Sequence, residues 1–473
     1  MGISLNPATL LSGQGLDVSS LVSQILSESS GQMTEWQGEL STLQSQASDL
    51  TTINSALTNL ATAVTALADP LGALTAQSAT SSDTSVLSAT ADTTAIAGTH
   101  TVAVSSLATA GAVYTNEFAG GANASILPTG ATGGEIDLQI GGSAGTTTPI
   151  TITAGSNDTL TTLASYIKSQ NLGVNASVVT DANGSRLALV SQNPGSTGAL
   201  AITANNTSLA FNTPTGGTNA QLTIDGVPYA SASNTVTGAI PGVTLNLANA
   251  SSGNPVQLTV GPDTAQATSA INNFVSAYNQ VITDINQEVA YNAATNSQGP
   301  LGSDPSVAQL QSSLLTDAAF SLTGNGGDVN LASLGINTNN DGTLTVDSSQ
   351  LSSALATNPA AVQNFFQNTA ATGFANAFNT DLTNLTDPTE GVLNVDLAQN
   401  TAEQADLTTS INNFQTQLTA QQTALTLEYS AVNASLQAYP LLLQQVTETL
   451  GTLGSGSSSN GTGSSTPTLT SGL

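Results

Sequence analysis

Two long apolar stripes, one near each end of the chain and both almost free of charge, constrain the fold more than any other feature. Met33, Trp36, Leu40, Leu43, Ala47, Leu50, Ile53, Leu57, Leu60, Val64 and Leu67 recur at steps of three and four. Leu407, Ile411, Phe414, Leu418, Leu425, Tyr429, Val432, Leu436, Tyr439, Leu443, Val446 and Leu450 repeat the pattern near the other end. Repeats sustained over so many turns form coiled-coil seams, which a single globular helix does not need. The first predicts a helix from Met33 to Leu67, about 50 Å long at ~1.5 Å per residue, that stops before Pro70. Several hundred residues of strand-and-turn sequence separate the two stripes, so antiparallel pairing is the simplest closure. Packing of each helix on its own domain's core is the alternative.

Coiled coils select partners through Glu and Lys at the flanking positions. Neither stripe here carries Lys or Arg, so register has to rest on apolar packing around Trp36, Phe414 and Tyr429 and on hydrogen bonds of Gln, Thr and Asn. The residues expected at an assembly interface are Leu16, Val18, Leu21, Ile25, Trp36, Leu40, Leu43, Leu50, Leu57, Ile411, Phe414, Leu418, Leu425, Val432 and Leu436. Burying about a dozen such side chains at ~1.5–3 kcal/mol each is nearly cancelled by ordering some forty residues at ~1.5 kcal/mol each. The helical ends are therefore expected to be marginal in a monomer and to firm up against neighbours.

The charge balance excludes several classes of partner. Two Lys+Arg stand against 30 Asp+Glu in 473 residues, a formal charge of -28 and a pI of about 4.1. Lys168 and Arg186 cannot make the basic patch that a phosphate backbone requires, so nucleic acid and anionic membranes are poor partners. No apolar run is long enough for a membrane span, and the first residues lack the basic and apolar regions of a secretory signal. Without cysteine there is no disulfide or thiolate metal site. Carboxylates titrate near about pH 4, so a chain with almost no bases approaches neutrality there, which suits work in an acidic medium.

Along the chain, Asp17 is a plausible N-cap for a short turn holding Val18, Leu21, Val22 and Ile25. Strands are expected at 86–89 and 99–104, with a Gly- and Ala-rich loop from Ala110 to Gly133. Residues 135–203 read as a compact α+β unit. Its helix after Asp158 turns Leu160, Leu163 and Ile167 inward, and its hairpin is built on Asn183-Gly184. Further strands at 221–224, 242–247 and 256–260 precede a helix capped by Asp263, then helices opened by Pro305 and Pro359. The second stripe is interrupted by Pro440 and followed by a Gly/Ser/Thr tail. The fold class is α+β multidomain, with N- and C-terminal coiled-coil helices bracketing β-rich inserted domains. The expected parts are a terminal segment 1–44, partly disordered in the monomer; a helical and mixed leg of 45–97 with 263–406; and a β-rich domain of 98–133 with 207–262. A small α+β module of 134–206, a C-terminal coiled-coil helix of 407–450 and a disordered tail of 451–473 complete the scheme.

Catalytic constellations are missing. His100 is the single histidine and sits in a strand pattern, GTHTVAV, so neither a Ser-His-Asp triad nor an HExxH zinc site can be assembled conventionally. Asn337, Asn339 and Asp341 sit at the spacing of a calcium loop, but Asn holds its first position and no Glu closes it; a turn leading into a strand is the better reading. Aromatic residues that stack on sugars make up 4% of the chain, which disfavours a glycosidase. Lys168 and Arg186 are read on a solvated helix face and a strand edge. No enzyme activity, cofactor or metal is expected.

Several segments resemble one family in the expected order. GLDVSSLVSQIL at Gly15–Leu26 resembles the opening of the flagellar filament cap family, also called hook-associated protein 2. Segments 81–110, 221–247, 274–286 and 331–366 resemble its later parts, and 135–203 resembles the small inserted motif of hook and flagellin-type proteins. The near absence of Lys and Arg departs from the family pattern. The resemblance implies a homo-oligomeric, ring-shaped cap at the extracellular tip of a bacterial flagellum that helps exported flagellin fold and insert. It implies flagellin, hook-filament junction proteins and a flagellar export chaperone as partners, roles in motility and adhesion, and export by the flagellar type III route without a cleaved signal peptide. A flagellin-like or junction subunit and a secreted adhesin are the alternatives.

Overall fold

The computed structural model describes residues 17–454 except 252, 292, 295, 296, 325, 326, 369 and 371. Leu16 and the tail beyond 454 lie outside the described residues. Helices α1 (Val18–Ser29), α2 (Gly31–Ala68), α3 (Leu160–Ser169), α4 (Thr264–Val289) and α5 (Pro305–Ala318) are followed by α6 (Ser348–Thr357), α7 (Pro359–Gln367), α8 (Phe374–Leu385) and α9 (Val392–Gly454). Of the described residues, 17–57, 283–312 and 384–454 pack as one compact unit, and 58–282 with 313–383 as a second.

In the second unit the strands are β1 (Gln77–Ser81), β2 (Leu87–Ala91), β3 (Gly98–Ser106), β4 (Ala110–Tyr114), β5 (Gly133–Ile140), β6 (Thr146–Thr153) and β7 (Val174–Thr180). They continue as β8 (Ser185–Pro194), β9 (Leu200–Asn205), β10 (Ala220–Ile224), β11 (Val227–Ser231), β12 (Thr235–Ile240), β13 (Val243–Leu247) and β14 (Val256–Pro262). A five-stranded sheet, β1-β14-β3-β10-β11, and a three-stranded sheet, β12-β13-β2, share one apolar core. Strand alternation supplies it: Val102 and Val104, Leu222 and Ile224, Val243, Leu245 and Leu247 all point inward. The Asp225-Gly226 turn joins β10 to β11 with both residues at positive φ, 49° and 82°. That backbone is the two-residue hairpin geometry that Asp-Gly favours.

A second core belongs to the sheets β4-β8-β7 and β6-β5-β9 with α3 against β7. Thr159 caps α3 through a capping box with Thr162, and Leu160, Leu163 and Ile167 are buried as their spacing predicts. The stretch expected as loop after Ala110 instead opens with β4, which pairs with β8. Small residues there carry no strand pattern, yet they permit close backbone approach. The same module packs tightly at Gly198, where a Cβ would lie 1.7 Å from the Asn193 carbonyl oxygen. Gly198→Ala is expected to destabilise the module by about 3 kcal/mol; urea unfolding of the variant, with loss below about 1 kcal/mol, would show that the Asn193 turn simply moves aside.

The remaining helices of the second unit gather aromatic side chains. Asp263 accepts hydrogen bonds from the backbone N–H groups of Ala265 and Gln266 and so starts α4, whose Ile271, Phe274, Tyr278, Val281 and Ile282 are buried. Two short hairpins, β15 (Ser321–Gly324) with β16 (Gly327–Asn330) and β17 (Ile336–Thr338) with β18 (Leu344–Val346), precede α6. The calcium-like loop is the turn of the second hairpin: Asp341 accepts from the backbone N–H and hydroxyl of Thr343, and Gly342 has φ 83°.

Candidate functional site

The long apolar stripes of this chain lie along α2 and α9, so the candidate site is a surface. In the first unit α2 and α9 run antiparallel. The Trp36 and Phe414 rings meet edge to face with centroids 5.5 Å apart. Further along, Gln404 Nε2 donates to the Leu43 carbonyl at 3.3 Å, Asn400 Nδ2 to Gln46 Oε1 at 3.3 Å, and Asn54 Nδ2 to Asn394 Oδ1 at 3.0 Å. Gln404 also donates to Asn400 Oδ1 at 2.5 Å, and Gln46 reaches the Pro300 carbonyl at 2.9 Å. Register thus rests on an amide chain, with Asn400 only 7% exposed, plus one aromatic contact. Among the described residues no ion pair joins α2 to α9.

The stripe on α9 is covered at one end and bare at the other. Ile411 is 8% exposed, Phe414, Leu418, Leu425 and Leu436 are half-buried, and Val432 is exposed. Tyr439, Leu443, Val446 and Leu450 are all exposed by half or more, with Leu441 and Leu442 beside them. Of the α1 and α2 residues, Val18, Leu21, Ile25, Trp36, Leu40 and Leu43 are half-buried, with α1 packed against α9. Leu50 and Leu57 are enclosed at 2% and 0% exposure, so they serve the protomer's own packing and have no surface to offer. Tyr439, Leu443, Val446 and Leu450 were left out of the expected interface although their spacing continues it. Pro440, expected to interrupt the helix, does not end it. A proline removes one N–H donor, and the Leu and Gln residues that follow are good helix formers.

The polar chemistry is local. Asp83, Asp92, Asp341 and Asp347 are held below the usual carboxylate range first by the hydroxyl of the Ser or Thr two residues on, then by backbone N–H groups. Those hydroxyl contacts measure 2.5–2.6 Å. Such turns stabilise carboxylates without any base. The few bases are engaged elsewhere: His100 Nδ1 lies 2.7 Å from Asp225 Oδ2, and Arg186 bridges Glu117 and Asp181 at 3.0 Å each. Arg186 stands on β8, the middle strand of its sheet, which corrects the edge placement. Lys168 is exposed in the last turn of α3. In the first unit, burial raises the carboxyl pKa values of Asp49 and Glu288. Among the described residues no group of three or more His, Asp or Glu side chains is arranged to hold a metal ion. No helix of the described residues is long and apolar enough to cross a membrane.

Comparison with known proteins places these features. Residues 14–111 match the model of the flagellar hook-associated protein 2 N-terminus, 217–439 that of its C-terminus, and 137–193 the flagellin hook IN motif. The B-type flagellar hook-associated protein 2 of Pseudomonas aeruginosa is 28% identical over 382 residues, covering 73% of this chain and 78% of that protein. The flagellar hook-associated protein 2 of Helicobacter pylori is 30% identical over 128 residues, 27% of this chain and 19% of its own length. The crystal structure of the flagellar cap protein FliD D1-D2-D3 domains from Escherichia coli superposes with a TM-score of 0.59 at 28% identity, over 75% of this chain and 99% of that one. With both terminal family models matched in order, and with a solved cap protein sharing its fold, this chain belongs to the flagellar hook-associated protein 2 family.

Proposed function

We propose that the chain is a structural, non-catalytic cap at the distal tip of the bacterial flagellar filament. It assembles as a homo-oligomeric ring and promotes folding and insertion of exported flagellin. The observation that carries this reading is the α9 stripe: a seam closed by α1 and α2 at Ile411 and Phe414 and left bare from Tyr439 to Leu450. An apolar stripe of helical length on an extracellular protein calls for helices of neighbouring copies or of filament components. Flagellin, hook-filament junction proteins and an export chaperone are the partners this surface suits, and type III export is the route. Of the expected parts we retain the helical and mixed leg of 45–97 with 263–406, the β-rich domain of 98–133 with 207–262 and the α+β module of 134–206 as working units, with β1 and β2 paired into the sheets of the β-rich domain and β4 into a sheet of the module.

Light scattering and electron microscopy of the purified chain, beside one shortened to end near residue 425, test this. A discrete ring-sized oligomer that dissociates on shortening is expected. Open-ended filaments would move the assignment to a filament subunit, and a monomer at every concentration would remove the ring.

A further inference from the structure

The chain crosses between the β-rich domain and the α+β module twice, from β3 into β4 and from β9 into β10. Gly216-Gly217 lies in the second crossing, and a glycine pair between folded parts ordinarily marks a flexible loop. Here the two crossings are paired with each other. Thr109 and Thr218 exchange backbone hydrogen bonds at 2.9 and 3.3 Å with their hydroxyls 2.7 Å apart, and Ala112 and Thr215 exchange a second set at 2.9 and 2.7 Å. The glycine pair is held between these bridges, and backbone from both sides closes on it. In the module turn 194–198, the Gly195 N–H donates to the Thr109 carbonyl at 3.0 Å and the Ser196 N–H to Asn219 Oδ1 at 2.8 Å. A Cβ on Gly217 would lie 2.2 Å from the Gly195 carbonyl oxygen, and one on Gly195 would lie 2.4 Å from the carbonyl oxygen of Ala232, between β11 and β12. On Gly111 it would lie 2.4 Å from the carbonyl oxygen of Gly198. Backbone meets backbone at these glycines with no space for a side chain. On the domain side, Asn234 accepts from the Ala108 N–H at 2.7 Å and donates to the Ala108 carbonyl at 3.0 Å. Ala108 is buried in the core of the β-rich domain and Val113 in that of the module, so the joint is anchored at both ends.

We propose that this joint is a lock and not a hinge: the module and the β-rich domain move as one body, and the missing side chain of Gly217 is what lets the lock close. Parts joined only by short crossings move relative to each other by default. To turn about these crossings, the module would have to break the Thr109–Thr218 bridge, lift Gly195 off Ala232 and release Ser196 from Asn219 together. The backbone groups set free would lose their partners in the same step. Gly216 has no part in this, since nothing lies within 4 Å of a Cβ placed there. On the cap reading, on which the biological use of the lock rests, a load applied to the module by an incoming subunit passes to the β-rich domain without being absorbed between them.

The chain has no cysteine, so a spin-label pair at Lys168→Cys on α3 and Thr259→Cys on β14, both exposed, reads the joint directly in the full-length chain. Double electron–electron resonance is expected to give one narrow distance with the joint unaltered and with Gly216→Ala, and a broad distribution with Gly217→Ala. Neither glycine has a positive φ, so alanine fits the backbone at both and only the contact differs. Hydrogen exchange supplies a second readout: amides in 107–112 and 215–220 should exchange about tenfold faster in Gly217→Ala, with the β7–β8 hairpin unchanged. A broad or split distance with the joint unaltered overturns the lock, and that arm stands even if Gly217→Ala does not fold. Indistinguishable results for Gly216→Ala and Gly217→Ala overturn it as well. The labels are read within single chains, diluted with unlabelled protein, so a failed lock leaves the ring assignment standing and a failed ring leaves the lock standing.

Discussion

Replacing Phe374 with alanine is expected to lower stability by about 4 kcal/mol, within the ~3–5 kcal/mol range for emptying a buried aromatic site. Phe374 is 1% exposed and has ring centroids at 5.4 Å from Phe274, 5.4 Å from Phe365, 5.6 Å from Phe366, 5.5 Å from Phe378 and 6.1 Å from Phe320. Only the Phe365 pair is stacked, at an interplanar angle of 15°. The other four tilt edge to face, the geometry that the ring quadrupole favours. With Phe374 these five make six of the chain's nine phenylalanines. Rings on α4, α7 and α8 cannot all close over the space without moving whole helices, so the cavity term should survive relaxation. Phe374→Leu, which keeps most of the volume, is expected to cost about 1.5 kcal/mol. Urea unfolding of both variants measures the difference; equal losses would mean that aromatic geometry adds nothing beyond bulk.

Much of this core was readable in the sequence, and the exceptions have physical causes. On α4 the apolar residues recur at helical spacing behind an Asp cap, and the inward positions from Ile271 to Ile285 are buried as read. The Asn183-Gly184 hairpin likewise joins β7 to β8, with Thr180 opposite Ser185. By contrast β11, with four of its five residues exposed, has no alternation to detect, because an edge strand without a covered face leaves no apolar pattern. Helix α8 escaped notice because Phe374, Phe378 and Leu382 give only three periodic positions, and Gly373 stands where a cap would announce the start. The early part of α9 was missed for another reason. From Val392 to Leu407 its contacts to α2 run through Asn394, Asn400 and Gln404, and hydrophobic periodicity does not register amides.

Introducing charge on the bare end of the stripe should separate assembly from folding. Leu443 and Val446 are 51% and 50% exposed in the single chain, so Leu443→Glu with Val446→Glu is expected to change monomer stability by no more than about 0.5 kcal/mol. Buried in a seam between copies, each apolar side chain contributes ~1.5–3 kcal/mol, so losing two at every contact weakens each contact by at least about a hundredfold. The glutamates add like-charge repulsion between copies on a chain whose two stripes hold no Lys or Arg to neutralise it. Ile411→Glu is the matching control. At 8% exposure on the covered end of the same helix, it should disrupt the protomer itself, lowering the melting temperature as well as the oligomer. Sedimentation read beside thermal unfolding distinguishes the two variants. A ring that survives Leu443→Glu/Val446→Glu would move the contact off the α9 stripe, and a monomer that melts early with those substitutions would mean the bare end already packs within its own chain.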